Sequence, residues 1–368
     1  MALAIAPSRH WLGNDGPWST FDIRIGNDAQ LIQVLPATSG QGIVVVLPGG
    51  CPSSSDSLAS CENLRGNTWR PDDDVMHDSP NKSNLFDVQF PSMISLPETL
   101  STEQYLERVQ LDYYLYENSL VDTGRNESIE AVDQLIGGYV PFIGLMGLSS
   151  QPVAFANGTG SFDGLLKTLL RRVNGTSASW AYTAGAKYKI PESFGSLTLG
   201  GYDASLCEMD SAMSVPLTSD PTRDLVVTVS NIEVHWNSTT RVYPLLRSPV
   251  SAFLNSAESD IWLPESDCLI IEEELGLSWN STFEMYLLNA TLAEYLISSI
   301  YSIDISLAGG TGITSSTIIR LPLYAFLREV KWPLAGINDT DTTLRRFALR
   351  RAPTPGSATL GRTFFQEA

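Results

Sequence analysis

Apolar and polar residues alternate along much of this chain with a period of two, the pattern of strands that bury one face. Residues 18–33 alternate around Phe21, Ile23 and Ile25, and residues 225–236 alternate strongly. Ile43 to Leu47 is an unbroken, largely β-branched run, as in a strand buried on both faces, and Pro48-Gly49-Gly50 stops it. Residues 140–148 are apolar with two glycines. Residues 180–188, 197–199, 314–327 and 359–362 also read as strands, and Tyr113, Leu115, Ser119 and Leu120 suggest a hairpin strand. Residues 62–105 are irregular and polar. A helical period appears at 162–173, with Phe162, Leu165, Leu166, Leu169 and Val173 on one face, and short helices are expected at 268–277 and 290–300. Each half repeats strand, polar loop, strand and helix. An all-β chain in two lobes, 1–203 and 204–368, is the architecture this predicts.

The most informative stretch is 251–264. Phe253-Leu254 and Ile261-Trp262-Leu263 are short apolar runs around a small polar turn, Asn255-Ser256-Ala257-Glu258-Ser259-Asp260. Val34-Leu35-Pro36-Ala37-Thr38-Ser39 is its counterpart in the first half. Ile25-Gly26-Asn27-Asp28-Ala29-Gln30, Gly144-Leu145-Met146-Gly147-Leu148, Gly195-Ser196-Leu197-Thr198-Leu199-Gly200-Gly201-Tyr202-Asp203 and Thr359-Leu360-Gly361-Arg362-Thr363-Phe364-Phe365 complete a series of six stretches. In this order they resemble the motifs of pepsin-like aspartic proteases, in the form of a divergent secreted fungal branch. The resemblance implies a bilobed, mainly β fold with a few short helices and an interlobe cleft. It places the family's two catalytic aspartates at Ala37 and Asn255.

That family hydrolyses peptides with two carboxylates sharing one proton, whose pKa values are split by their closeness. Alanine has nothing to titrate, and an asparagine can hold a water but cannot take its proton. The expectation is therefore a non-proteolytic protein whose cleft, lined by Thr38, Ser39, Tyr113, Tyr114, Ser256, Ala257 and Glu258, binds a peptide or a small molecule. Two alternatives stand beside it: a non-hydrolytic enzyme such as a cyclase or isomerase, and a residual acid endopeptidase. Asp122-Thr123-Gly124 spells the family's tripeptide but lies in a polar stretch before the sequon at Asn126, and reads as a surface turn. Glu258 and Asp260 are expected to be solvated loop residues. Arg345, Arg346, Arg350 and Arg351 are expected in an exposed loop.

Composition narrows the setting. The net charge of −18 and pI near 4.5 disfavour nucleic acid and anionic membranes as partners. Eight Asn-X-Ser/Thr sequons, at Asn81, Asn126, Asn157, Asn174, Asn237, Asn280, Asn289 and Asn338, point to a secreted or secretory-pathway glycoprotein. The four cysteines suit that compartment: Cys51 and Cys61 as a local disulfide, Cys207 and Cys268 as a long-range one. The three histidines are scattered and no Cys-x-x-Cys exists, so neither a metal site nor a cofactor is expected. No stretch approaches the ~18 apolar residues of a membrane span. A monomer is expected. The opening thirteen residues are too short for a complete signal peptide, and the chain stops before the last strands that the family usually has, so a native leader and a C-terminal segment are both expected to be missing.

Overall fold

The computed structural model describes the chain except residues 1, 41, 52–54, 72–75, 79–101, 114–118, 123–126, 133–141, 150, 155–160, 173–176, 221–222, 239–241, 310–315 and 332–342. The described residues are mostly β. They divide into two compact units: Met1–Gly13, Pro17–Thr183 and Phe194–Asp203 form the first, and Asn14–Gly16, Ala184–Ser193 and Ala204–Ala368 the second.

In the first unit the alternating stretch 18–33 is two strands rather than one. Trp18–Ile25 and Gln30–Ala37 pair antiparallel, with Phe21 opposite Val34 and Ile23 opposite Ile32. The break falls at Gly26, whose φ of 84° reverses the chain at no steric cost. Phe21, Ile23, Ile25, Ile32 and Val34 are all buried. At about 1.5–3 kcal/mol for each fully buried side chain of this size, this hairpin is a large part of the unit's core.

The strand Gln30–Ala37 then runs parallel to Gly144–Gly147. Gly144–Gly147 pairs antiparallel with Ile43–Val46, which is buried at every position as its unbroken apolar run requires. Ile43–Val46 in turn pairs parallel with Glu127–Val132. The second unit repeats this frame. Val250–Leu254 runs parallel to Thr359–Leu360, which pairs antiparallel with Ile261–Leu263, which pairs parallel with Leu349–Arg351. The repeat visible in the sequence is thus a four-strand frame with the same order and the same strand senses in both units.

Among the described residues there are four α-helices. Ser55–Leu64 (α1) is a largely polar segment, SDSLASCENL, and the Cys51–Cys61 disulfide ties it to the turn before it. Leu165–Arg172 (α2) buries Leu165, Leu166, Leu169 and Leu170, while Phe162, expected on the same helical face, lies in the short strand Ser161–Phe162. Glu265–Leu275 (α3) buries Cys268, Ile271 and Leu275 and ends on left-handed Gly276, φ 68°. Ala290–Ser299 (α4) is capped by Asn289, whose Oδ1 accepts the Leu292 N–H at 2.8 Å.

The expected second disulfide is not formed. Cys268 is buried on the inner side of α3, with Sγ 3.5 Å from the Leu263 carbonyl oxygen, whereas Cys207 is exposed in a segment of short 3-10 turns. An even cysteine count says nothing about which thiols meet. Burial pushes the Cys268 thiol up to about 12, so it is inert as a nucleophile.

Each frame closes over a glycine. A Cβ on Gly147 would lie 2.5 Å from the Gly40 carbonyl oxygen, and one on Gly361 would lie 2.4 Å from that of Asp260. Both obstacles are backbone, so neither can step aside. Gly147→Ala and Gly361→Ala are each expected to cost at least about 1–3 kcal/mol in urea unfolding. Gly356→Ala, with nothing within 4 Å of the added carbon, serves as the near-neutral control.

Candidate functional site

Two loops occupy the same place in the two frames, one after Ala37 and one after Asn255. Gly40 N–H donates to the Ala37 carbonyl at 3.2 Å, and Glu258 N–H to the Asn255 carbonyl at 3.2 Å. Five residues beyond Ala37 and Asn255, Gly147 N–H donates to the Gly42 carbonyl at 2.8 Å, and Gly361 N–H to the Asp260 carbonyl at 3.0 Å. In strand register Ala37 lies beside Gly147. Leu254 lies beside Leu360, which brings Asn255 level with Gly361. The backbone alone therefore makes Ala37 and Asn255 equivalent, without reference to any other protein.

Most of the described side chains at these loops are buried. Ala37 and Asn255 are each 0 % exposed, and Thr38, Ser39, Ser256 and Glu258 are buried beside them. Asn255 Oδ1 accepts the Ala257 N–H at 3.1 Å, so the amide oxygen is spent on the turn that follows it. A carboxylate at this position could make the same bond and keep its second oxygen for chemistry; an amide puts a non-basic NH2 there. At Ala37 a methyl group stands in the equivalent place.

One of the two acids on the second loop is committed elsewhere. Asp260 is buried, not solvated as its loop position suggests. Its carboxylate takes Nη1 of Arg346 on one oxygen and Nε of Arg350, at 2.9 Å, on the other. Burial alone raises its pKa. The charges of Arg346 and Arg350 and the hydrogen bonds they donate outweigh that and hold the carboxyl below its ordinary value. Such a group stays ionised and cannot carry a shared proton.

The arginines themselves overturn a second expectation. Arg346 belongs to the strand Thr343–Phe347 and Arg350 and Arg351 to Leu349–Arg351, rather than to an exposed loop. Arg346 is 1 % exposed; its Nη2 donates to the Asp15 carbonyl at 3.0 Å and to Ser259 Oγ at 3.2 Å. Arg351 bonds Glu272 at 2.7 Å and also pairs with Glu265. Of the four, only Arg345 is exposed. Arg362, next to the closing glycine, donates through Nη1 to the carbonyls of Ser256 and Ala257, both at 2.8 Å, and through Nη2 to Asp15 Oδ2 at 2.8 Å. The second loop is therefore held from behind by guanidinium groups. The first has Gly42 where the second has Asp260, and Leu148 where it has Arg362.

The other sequence candidates divide. Tyr113 ends the strand Val109–Tyr113, paired with Ile5 and Ser119, and Tyr114 lies outside the described residues. Asp122 ends the strand Ser119–Asp122 opposite Gln110, on neither loop; Thr123 and Gly124 are outside the described residues. Among the sequons, Asn237 and Asn289 are exposed and Asn280 is partly exposed; Asn81, Asn126, Asn157, Asn174 and Asn338 are outside the described residues. Among the described residues no group of three or more His, Cys, Asp or Glu is placed to hold a metal ion, and no helix is long and apolar enough to cross a membrane.

No family model matches the chain, and no curated protein matches it in sequence. Its backbone does match a solved structure, the aspartic proteinase from Irpex lacteus, at a TM-score of 0.56 and 12 % identity, over 100 % of this chain and 92 % of that one. The fold is pepsin-like. At that identity the likeness carries architecture and not chemistry.

The Asp260–Arg346 pair gives a direct test of how the second loop is held. Arg346→Met leaves Asp260 buried beside Arg350 alone and is expected to cost about 3–5 kcal/mol in urea unfolding. Adding Asp260→Asn to that variant should recover part of the loss, because the stranded charge is gone. A loss near zero in the single variant would mean that the pair does not hold the loop.

Proposed function

We propose that this chain is a non-proteolytic pepsin-like protein whose two loops, at Ala37 and Asn255, face each other across a cleft that binds a peptide or a small molecule. The observation that carries the reading is the equivalence of the two loops in the hydrogen bonding of their own frames. A shared-proton dyad needs an acid at both equivalent positions. This chain has a methyl group at one and an amide at the other, and Asp260 on the second loop is held by two arginines. Thr38, Ser39, Ser256, Ala257 and Glu258 would then line the floor of the cleft.

The setting follows from the same reading. A pepsin-like fold, one formed disulfide and eight sequons suit a monomeric glycoprotein of the secretory pathway or the exterior. Asn289 fits this doubly: its side-chain oxygen caps α4, while glycosylation would use its nitrogen.

Activity decides the reading. The purified chain should not cleave denatured protein between about pH 2 and 6, where a shared-proton dyad works. Restoring both acids with Ala37→Asp and Asn255→Asp, together with Ser39→Gly and Ala257→Gly, should introduce cleavage. Asn255→Asp alone should introduce little, because a lone carboxylate has no partner to share its proton. Acid proteolysis by the unaltered chain that disappears on Glu258→Gln or Asp260→Asn would overturn the proposal.

A further inference from the structure

The loop after Asn255 differs from its twin in one respect that the fold does not require: it is held by ion pairs. At the position of Asp260 the first loop has Gly42 and still closes, with the same Gly147 N–H to carbonyl bond. The carboxylate is an addition, and it draws in a set of charges from separate stretches of chain. Arg346 bonds Asp260, Ser259 and the Asp15 carbonyl; Arg350 bonds Asp260; Arg362 bonds the loop carbonyls of Ser256 and Ala257 and the Asp15 carboxylate. Asp15 comes from Asn14–Gly16, a three-residue piece that belongs to the second unit although the chain on either side of it belongs to the first. Every residue from Asn255 to Asp260 is thus fixed either by its own turn or by a guanidinium anchored on Asp260 or Asp15.

We propose that Asp260, anchored together with Asp15 through Arg346, Arg350 and Arg362, is a latch that positions the second loop and makes it acid-released. This rests on the reading of that loop as part of the ligand site, whose shape the latch would then regulate. Ionised Asp260 compensates Arg346 and Arg350. When its carboxylate takes a proton, both cations lose their counter-charge in a buried place, and the arrangement that holds Ser259 and the Asp15 carbonyl relaxes. The proton adds to a carboxylate oxygen and leaves on neutralisation, so release is reversible.

The sign follows from the surroundings. Asp260 in the folded chain titrates below the ordinary 3.8, so the latch contributes fully above pH 3.8 and is lost as pH falls through the folded value. The charged groups around it are Arg346, Arg350 and Arg362, Asp15, the buried Glu258 on the same loop, and Arg328. Burial lowers the Arg328 pKa to about 10, repulsion by Arg346 adds to this, and Tyr188, Asp260 and Asp15 oppose it. The cations in this set outweigh the opposing acids, which is the direction that keeps Asp260 ionised through mild acid. The loop therefore stays latched across the mildly acidic range and opens only in strong acid.

The structure supplies a reporter. The Arg350 guanidinium lies 5.4 Å from the Trp262 ring centroid, so loss of the Asp260–Arg350 bond changes what that indole faces. The test follows Trp262 emission and hydrogen exchange of residues 253–264, corrected for the intrinsic pH dependence of exchange, from pH 7 to pH 2. Residues 34–40 serve as the internal control. In the unaltered chain both signals should change together below pH 3.8, reverse on neutralisation, and leave the control loop protected. Trp262→Phe should remove the emission change and keep the exchange change. Asp260→Asn should show the released exchange level already at pH 7. If that variant fails to fold, Arg350→Gln decides instead: it keeps Arg346 but removes one cation, and should raise the release midpoint by about one pH unit. A second loop that stays as protected as the first until the whole chain unfolds, or a midpoint that Arg350→Gln does not move, would overturn the latch. No ligand enters the measurement, so its outcome is independent of whether the cleft binds one; that reading fails separately, through acid proteolysis.

Discussion

Two backbone segments can pass at hydrogen-bond distance through the middle of a sheet only where no side chain stands between them. Gly147 and Gly361 meet that condition in the two units. Each donates its N–H to a loop carbonyl five residues beyond the position that Ala37 and Asn255 occupy. The parallel strand beside each loop, the antiparallel strand that returns from it and the outer parallel strand all take their register from this crossing. It fixes the place of one residue per unit, whatever that residue is. At these two places the chain carries a methyl group and an amide.

The two units reach the same crossing by different means. The first has glycines at positions 40 and 42, whose carbonyls accept from the Ser149 and Gly147 N–H groups. The second spends charged groups. A buried ion pair seldom adds net stability over apolar packing, since desolvation offsets most of the attraction, but breaking one is costly. The charge around Asp260 thus reads as a means of specifying one loop conformation rather than of raising stability. It also commits the Asp260 carboxylate to Arg346 and Arg350.

Much of the fold could be read in the sequence because its strands are strongly patterned. The β-branched run at 43–46, the alternation at 226–236 and the small-residue turns after Ala37 and Asn255 are local signals, and each falls on the element it suggests. What escaped was long-range or compositional. The α1 sequence, SDSLASCENL, has too few apolar residues to announce a helix. The arginines of 345–351 look like a solvated basic run because their counter-charges are distant in sequence: Asp260 lies 86 residues from Arg346, and Asp15 lies 347 residues from Arg362. Asp260 misled for the same reason, since a carboxylate in a polar turn is ordinarily solvated. The cysteines misled because pairing depends on where α3 places Cys268, and no count contains that.

The central claim is that no proton is shared between residues 37 and 255. The most direct measurement compares a statine-type peptide with its analogue lacking the hydroxyl, by calorimetry at about pH 4. In a working dyad that hydroxyl sits between the two carboxylates in place of the attacking water and supplies much of the affinity. Removing it is expected to change the affinity of this chain by less than about threefold, whether the peptides bind or not. A loss of about a hundredfold or more on removing the hydroxyl, equivalent to roughly 2.7 kcal/mol, would contradict it.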